Sequence, residues 1–257
     1  SNSKLKKQII TPLYNNDKLV LPQLCIFSLE IIKKDKKISI DKTKRLIRFN
    51  NDKITLSENL YIPNGFVLQG QPGLKVNLIN GASIISNSPL WFDGSPQTPI
   101  IINSEDYSGG GIYISSKNKK SRFSYVKFHK LTYPDKSLSG LTASITVYNT
   151  SVDFNHCFFS KNRSEDFLNI FRSNFIIRNS NFSDIFSDAF DSDFSKGDVI
   201  NTNFKNIGND ALDFSGSLAK LKDIIISGVG DKGLSAGEKS TINVNNLLVQ
   251  KSEIGIT

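Results

Sequence analysis

The chain of 257 residues is short of several things: it has no methionine, one tryptophan, two cysteines and two histidines. Two cysteines, Cys25 and Cys157, cannot form a disulfide framework, and their dissimilar surroundings leave a lone bridge undecided. His129 and His156 stand far apart between Phe and Asn residues, so no zinc-type Cys/His spacing exists. Long apolar runs are missing: stretches such as "PIII" and "DIIIS" are far too short for a membrane-spanning helix. Alanine, the strongest helix former, is sparse, which argues against helices of useful length. There is no zinc knuckle, RNP signature or helix-turn-helix pattern, so nucleic acid is not expected as a partner. "GDKGLSAGEKS" (230–240) is glycine-rich, but no helix follows it, so it is not a phosphate loop.

What is present is β-branched residues, Phe, Asn, Gly and Lys. Hydrophobic residues make up 38% and charged residues 22%, which suits a globular chain. The formal net charge is +8, with Lys concentrated early ("IIKKDKK", "DKTKRLIR", "SSKNKKSR") and Asp denser from 165 to 213. A basic balance suits acidic polysaccharide as a partner; a solvated Lys-rich face explains it equally. The opening "SNSKLKKQ" has no Met and looks like a scar left by trimming, which leaves a removed secretory leader open.

One hydrophobic position recurs at Leu168, Phe190, Leu212, Leu234 and Ile256, each step being 22 residues. Phe182, Phe204, Ile226 and Leu248 repeat the same step, as do Ile185, Ile207 and Val229. Ile145 and Phe159 extend two of the columns backwards by 23. Three apolar columns per repeat describe a coil of three short strands, with Gly, Asn, Asp and Ser at the turns between them. A polar column, His156, Asn179, Asn201, Asp223 and Asn245, predicts stacked amides at one turn.

The expected fold is therefore all-β: a parallel β-helix of about nine coils over 51–257, rising about 4.8 Å per coil, with an N-terminal β cap. Residues 1–50 do not fit the period. Their two alternating runs, "LCIFSLEII" and "KISIDKTKRLIRF", read as capping strands or the remnant of a preceding domain. "HKLTYPDKSLSGLTAS" (129–144) interrupts the period and reads as a protruding loop. The last residue, Thr257, follows directly on Ile256 of the repeat with no capping element, which predicts a longer parent chain.

With its Asn-rich repeats and the entry run "YIPNGFVLQGQPG", the segment 54–257 resembles the right-handed parallel β-helix, pectin-lyase-like superfamily. More loosely, "GNDALDFSGS…GDKGLSAGEKS…SEIGIT" looks like β-helix segments of secreted bacterial proteins associated with CotH-like domains. The resemblance implies a right-handed coil and a secreted or cell-envelope setting. It offers two kinds of role: carbohydrate-active enzymes, and non-catalytic adhesins or scaffolds. The family's enzymatic motifs are mostly missing. No Gly-His-Gly or Arg-x-Lys run occurs, and "AFDSDFS" (189–195) lacks the His and Glu of the epimerase motif.

The aspartates carry what chemistry can be seen. Asp166, Asp188 and Asp210, followed by Lys232, form one column; Asn169, Asp191 and Asp213, followed by Ser235, form the next. The first column reads as turn-holding residues. Asp191, Asp193 and Asp213 should point outward together, with Glu238 beside them. At about 5 Å, one rung apart, such carboxylates repel and one must keep its proton or find a cation. A Ca²⁺ site on Asp191, Asp193 and Asp213 is one solution, and a shared proton is another. Under a lyase reading, Arg172, Arg178 or Lys196 would be the base beside the metal. Trp91 and Phe92 are candidates for sugar stacking or for packing. The expected function is a non-catalytic module that binds a surface glycan or serves as a rigid scaffold; the alternative is a Ca²⁺-assisted lyase acting on acidic polysaccharide.

Overall fold

A computed structural model describes residues 37–117, 119–134 and 140–257. It is an all-β solenoid of about nine turns. Cys25 and the run "LCIFSLEII" lie outside the described residues, whereas Cys157 is a buried free thiol whose pKa burial pushes up to about 12. The run "KISIDKTKRLIRF" makes a hairpin, Ile38–Asp41 antiparallel to Leu46–Phe49. The second strand of that hairpin already belongs to the solenoid, because it pairs in parallel with Val67–Gly70.

Each coil has three faces. The first carries Ala143–Tyr148, Asp166–Phe171, Asp188–Asp193 and Leu212–Ser215 as successive parallel rungs. The second carries Ser151–Asn155 and Asn174–Arg178, and the third Phe158–Ser160 and Asn181–Ile185. The register of the first apolar column is as predicted: Leu168 pairs with Phe190, Phe190 with Leu212, and Leu212 with Leu234. The second column holds from Phe182 to Ile226 but then continues to Val249, and Leu248 is exposed. Upstream coils are longer: Ile84 pairs with Ile112, and Ile112 with Ile145. Of the described parts of the 129–144 segment, Leu131 packs into the core, while Leu141 packs with Ile85 and Tyr113 on the outside of the first face.

The interior follows from period-two alternation. Phe128, Phe159, Phe182 and Phe204 stack face to face up the third side, with centroids 5.2, 4.2 and 4.8 Å apart. All four are buried. Parallel rungs place identical columns one strand spacing apart, which suits flat rings.

The corners explain the non-glycine turn residues. Turning from one face to the next needs a left-handed residue, and Asn and Asp tolerate that region best among residues with a Cβ. Asn179, Asn201 and Asp223 take φ of 52°, 46° and 55°. The Asn201 amide donates to Asn179 Oδ1 at 2.8 Å, and the Asn179 amide donates to Asn155 Oδ1 at 3.0 Å. The column continues to Asn246, not Asn245. Asn246 has φ 64° and donates to Asp223 Oδ1 at 2.8 Å. One extra residue in the turn after Ala236 shifts the register: Phe214 pairs with Ala236, whereas Ser217 meets Ser240.

Beside another corner runs a buried hydroxyl ladder that the apolar columns do not announce. The backbone N–H of Thr150, Ser173, Ser195 and Ser217 donates to the hydroxyl of Ser173, Ser195, Ser217 and Ser240 respectively, at 3.0–3.2 Å. Removing one rung strands a buried donor. Ser195→Ala is expected to cost about 1–3 kcal/mol, because the Ser173 N–H then has no partner. Urea unfolding at unchanged m-value measures it; a loss below about 0.5 kcal/mol would mean the ladder is dispensable.

Candidate functional site

The outside of the first face is where the carboxylates meet. Core residues alternate with outward ones along each rung, so Phe190 points in while Asp191 and Asp193 point out. The register puts Thr146, Asn169, Asp191, Asp213 and Ser235 in one column. Tyr148, Phe171, Asp193 and Ser215 form the column beside it.

Asn169 joins the two columns. Its amide donates to Asp191 Oδ2 at 2.6 Å and to Asp193 Oδ2 at 3.3 Å. Burial lifts the Asp191 carboxyl far above the ordinary carboxylate range, and the charges of Asp193, Asp166 and Asp213 add to the lift. Asp193 is raised too, chiefly by burial, and is partly relieved by hydrogen bonds from Asn169 and Asp191. The direction of both shifts favours the protonated form of Asp191, which then donates to Asp193. Of the ways the sequence left open to relieve repulsion on this face, the geometry favours the shared proton. No group of three His, Cys, Asp or Glu among the described residues is arranged to hold a metal ion.

The flanking column Asp166, Asp188 and Asp210 holds backbone, but across coils rather than two residues along the chain. Asp188 Oδ1 accepts from the Asp210 N–H at 2.9 Å, and Asp210 Oδ1 accepts from the Lys232 N–H at 3.0 Å. Lys232 Nζ reaches Asp231 at 2.8 Å and Asp210 at 3.2 Å, and these contacts hold its pKa above the usual lysine value. Asp166 ends the column. Burial and the Asp188 charge push it to about 7, while Thr142 donates to its Oδ2 at 3.2 Å.

The proposed lyase bases lie elsewhere. Arg172 occupies a corner at φ 49°, with its guanidinium over the rings of Phe171 and Phe194 at 5.1 and 6.0 Å. Arg178 pairs with Asp153 on the second face at 3.4 Å. Lys196 begins the next strand and lines a separate depression of ≈ 480 Å³ with Asn174, Gly197, Leu218 and Thr241. Glu238 is exposed in the turn that carries the extra residue, where its carbonyl accepts from the Gly216 N–H. Phe92 is core, and one face of the Trp91 ring is covered by Arg122 at 4.1 Å.

An aromatic stripe beside the carboxyls was not visible as such in the sequence. Tyr148 stacks on Phe171 at 5.7 Å, and Phe171 meets Phe194 edge-on at 5.7 Å. Phe194 is 58% exposed and sits at φ 49°, a left-handed conformation that is rare for a bulky residue. Its ring lies over Gly216, where an added Cβ would come within 2.6 Å of Phe194 Cδ1. The signal was a column reading Tyr148, Phe171, Asp193 at steps of 23 and 22, outside the three apolar columns.

The fold defines the class as a parallel β-solenoid with a carboxyl-rich, aromatic-edged outer face. No family model, curated protein or solved structure matches the chain, so the likeness to pectin-lyase-like and CotH-associated proteins stands on sequence pattern alone. No helix among the described residues is long and apolar enough to cross a membrane.

Proposed function

We propose that this chain is a glycan-binding module that holds a sugar chain along the outside of its first face, without itself cleaving it. The observation that carries the reading is the pairing, on one face, of the half-buried aromatic stripe that ends at the exposed Phe194 with the carboxyl and amide groups of Asn169, Asp191, Asp193 and Asp213. Aromatic faces take the C–H side of a pyranose, and fixed polar groups take its hydroxyls. With the Asn169 amide hydrogens held by Asp191 and Asp193, the Asn169 carbonyl oxygen and the carboxyl oxygens of Asp193 and Asp213 supply acceptors for those hydroxyls. A secreted or cell-surface setting fits such a role. The Ca²⁺-assisted lyase finds less support, since none of its candidate bases lies over the carboxyls.

A panel of immobilised oligosaccharides tests the reading, with Phe194→Ala as the probe. Phe194 is largely exposed, so the variant should keep its stability within about 0.5 kcal/mol. Its affinity should fall roughly tenfold, the equivalent of about 1.4 kcal/mol. A panel with no ligand, or equal affinity for both proteins, overturns the proposal.

A further inference from the structure

Charge is sorted by face. The first face carries the carboxyls described above, and the second pairs its charges, Arg122 with Asp93 and Arg178 with Asp153. The third face is different. Lys53, Lys75 and Lys127 point outward in one row, with Ile101 between the last two. The row runs on through Phe158 and Asn181 to Ile225 and Leu248. The row beside it, from Thr55 to Gln250, adds His129 and Lys205. Neither row holds an Asp or Glu on any rung. Among the described residues, no ion pair reaches Lys53, Lys75, Lys127 or Lys205. Two carboxylates stand at the corner that follows the face, and amides hold both: Asn77 donates to Glu105 at 3.3 Å, and Asn206 to Asp184 at 3.0 Å. Lys130 and Lys161 turn the same corner. His129 feels the excess: burial lowers its pKa, and the charges of Lys130 and Lys161 add to the fall.

Shape and apolar side chains point the same way. Behind this face Phe128, Phe159, Phe182 and Phe204 lie within 13° of parallel from one rung to the next. Little twist accumulates, so the outer surface is close to flat. From Lys53 to Lys205 the cations spread over six strand spacings, roughly 29 Å. Phe158, Ile225 and Leu248 are exposed in the row that carries three of the lysines.

We propose that the third face docks on an anionic lipid surface, with the solenoid axis lying along the plane of the bilayer. A bilayer offers a flat field of negative headgroups, and each lysine held close to it is attracted. Lysine stems lie along apolar surface while their ammonium groups stay among the headgroups. Phe158, Ile225 and Leu248 reach the boundary between headgroups and acyl chains. A single anionic chain would follow a groove or one line of cations. Here both rows contribute charge, and apolar side chains share a row with the lysines. The docking uses a different face from the glycan reading and does not rest on it. The first face then looks obliquely away from the lipid.

Sedimentation with vesicles tests this, using phosphatidylcholine alone and an equal mixture with phosphatidylglycerol. Binding is expected to the mixed vesicles only, and it should weaken as salt rises. Lys75→Gln combined with Lys127→Gln should lower the affinity at least about tenfold. Lys220→Gln combined with Lys222→Gln removes the same charge from the second face and should change it less than about twofold. Phe158→Ser should weaken binding at every salt concentration. Phe194→Ala should bind like the wild type, so lipid docking and glycan binding stand or fall separately. All of these side chains are exposed, so folding is untouched, and thermal melts verify it. No binding to the mixed vesicles, equal binding to both kinds, or equal losses in the two lysine pairs overturns the proposal. So does polyphosphate or a polyuronate that binds in solution as tightly as the mixed vesicles, with Phe158→Ser unaffected.

Discussion

Phe182→Ala should cost about 3–5 kcal/mol of unfolding free energy, at the top of what a single core truncation does. The ring is buried between Phe159 at 4.2 Å and Phe204 at 4.8 Å, both within 9° of parallel. In a helical core the neighbours of a deleted side chain can slide inward. Here they cannot close along the axis, because each ring hangs from a strand whose distance to the next is set by backbone hydrogen bonds. The cavity stays open, and its lining loses dispersion contacts outright. Phe182→Leu keeps most of the volume and should cost distinctly less. Denaturant unfolding of both variants decides it. A loss below about 1.5 kcal/mol for the alanine variant would mean that the stack can collapse.

Asp191→Asn should stabilise the protein, and only above acid pH. The sign follows from the direction of the shift. The folded-state pKa of Asp191 is raised above its unfolded value by burial and by neighbouring carboxylates. Its contribution to stability is fully present below the unfolded aspartate value of about 4 and drains away as pH rises toward the folded value. Asp166, lifted to about 7, loses stability over the lower part of the same range. The wild type is thus expected to grow less stable from pH 5 to pH 8. Asparagine resembles protonated aspartate: it accepts from Asn169 and donates to Asp193 at every pH. A gain of about 2 kcal/mol at pH 8 would raise the melting temperature by about 4–8 °C for a chain of this size, with no more than about 1 °C of difference at pH 4. Thermal melts across that range check it. Equal differences at both ends, or a destabilised variant at pH 8, would refute the proton-sharing account.

The architecture was legible because a solenoid writes its fold as a period. Leu168, Phe190, Leu212 and Leu234 show the coil length directly, and every register pair among them is the one the spacing predicts. Reading failed where the period changes by one. Asn245 and Leu248 each fall one residue short of their columns because nothing local to them marks the extra residue at 237–240; the pairing of Ser217 with Ser240 and of Ile226 with Val249 reveals the shift. The hydroxyl ladder escaped for another reason. Ser173, Ser195 and Ser217 look like ordinary turn residues, and their burial depends on the corner turning inward.

The candidate site was half legible. Asp191, Asp193 and Asp213 were expected to face outward together, and the register agrees. The supposed partners were misplaced because a repeat count gives the rung but not the direction of a long side chain. Arg172 is on the right coil yet its guanidinium lies over the rings of Phe171 and Phe194, and Glu238 belongs to a turn. Tyr148, Phe171 and Phe194 were passed over because aromatic residues in a Phe-rich chain are first counted as core.

The amide stacks also give the molecule a sense of direction. Asn179, Asn201 and Asn246, like Asn203 and Asn206, each turn their amide hydrogens toward the preceding coil, so their bond dipoles add head to tail along the axis. Chains of this kind polarise one another, which makes a stack stronger than its separate links. Asn169 runs the opposite way, pointing its hydrogens at the following coil. The one amide reversed on the carboxyl face is thus the one that holds Asp191 and Asp193 together.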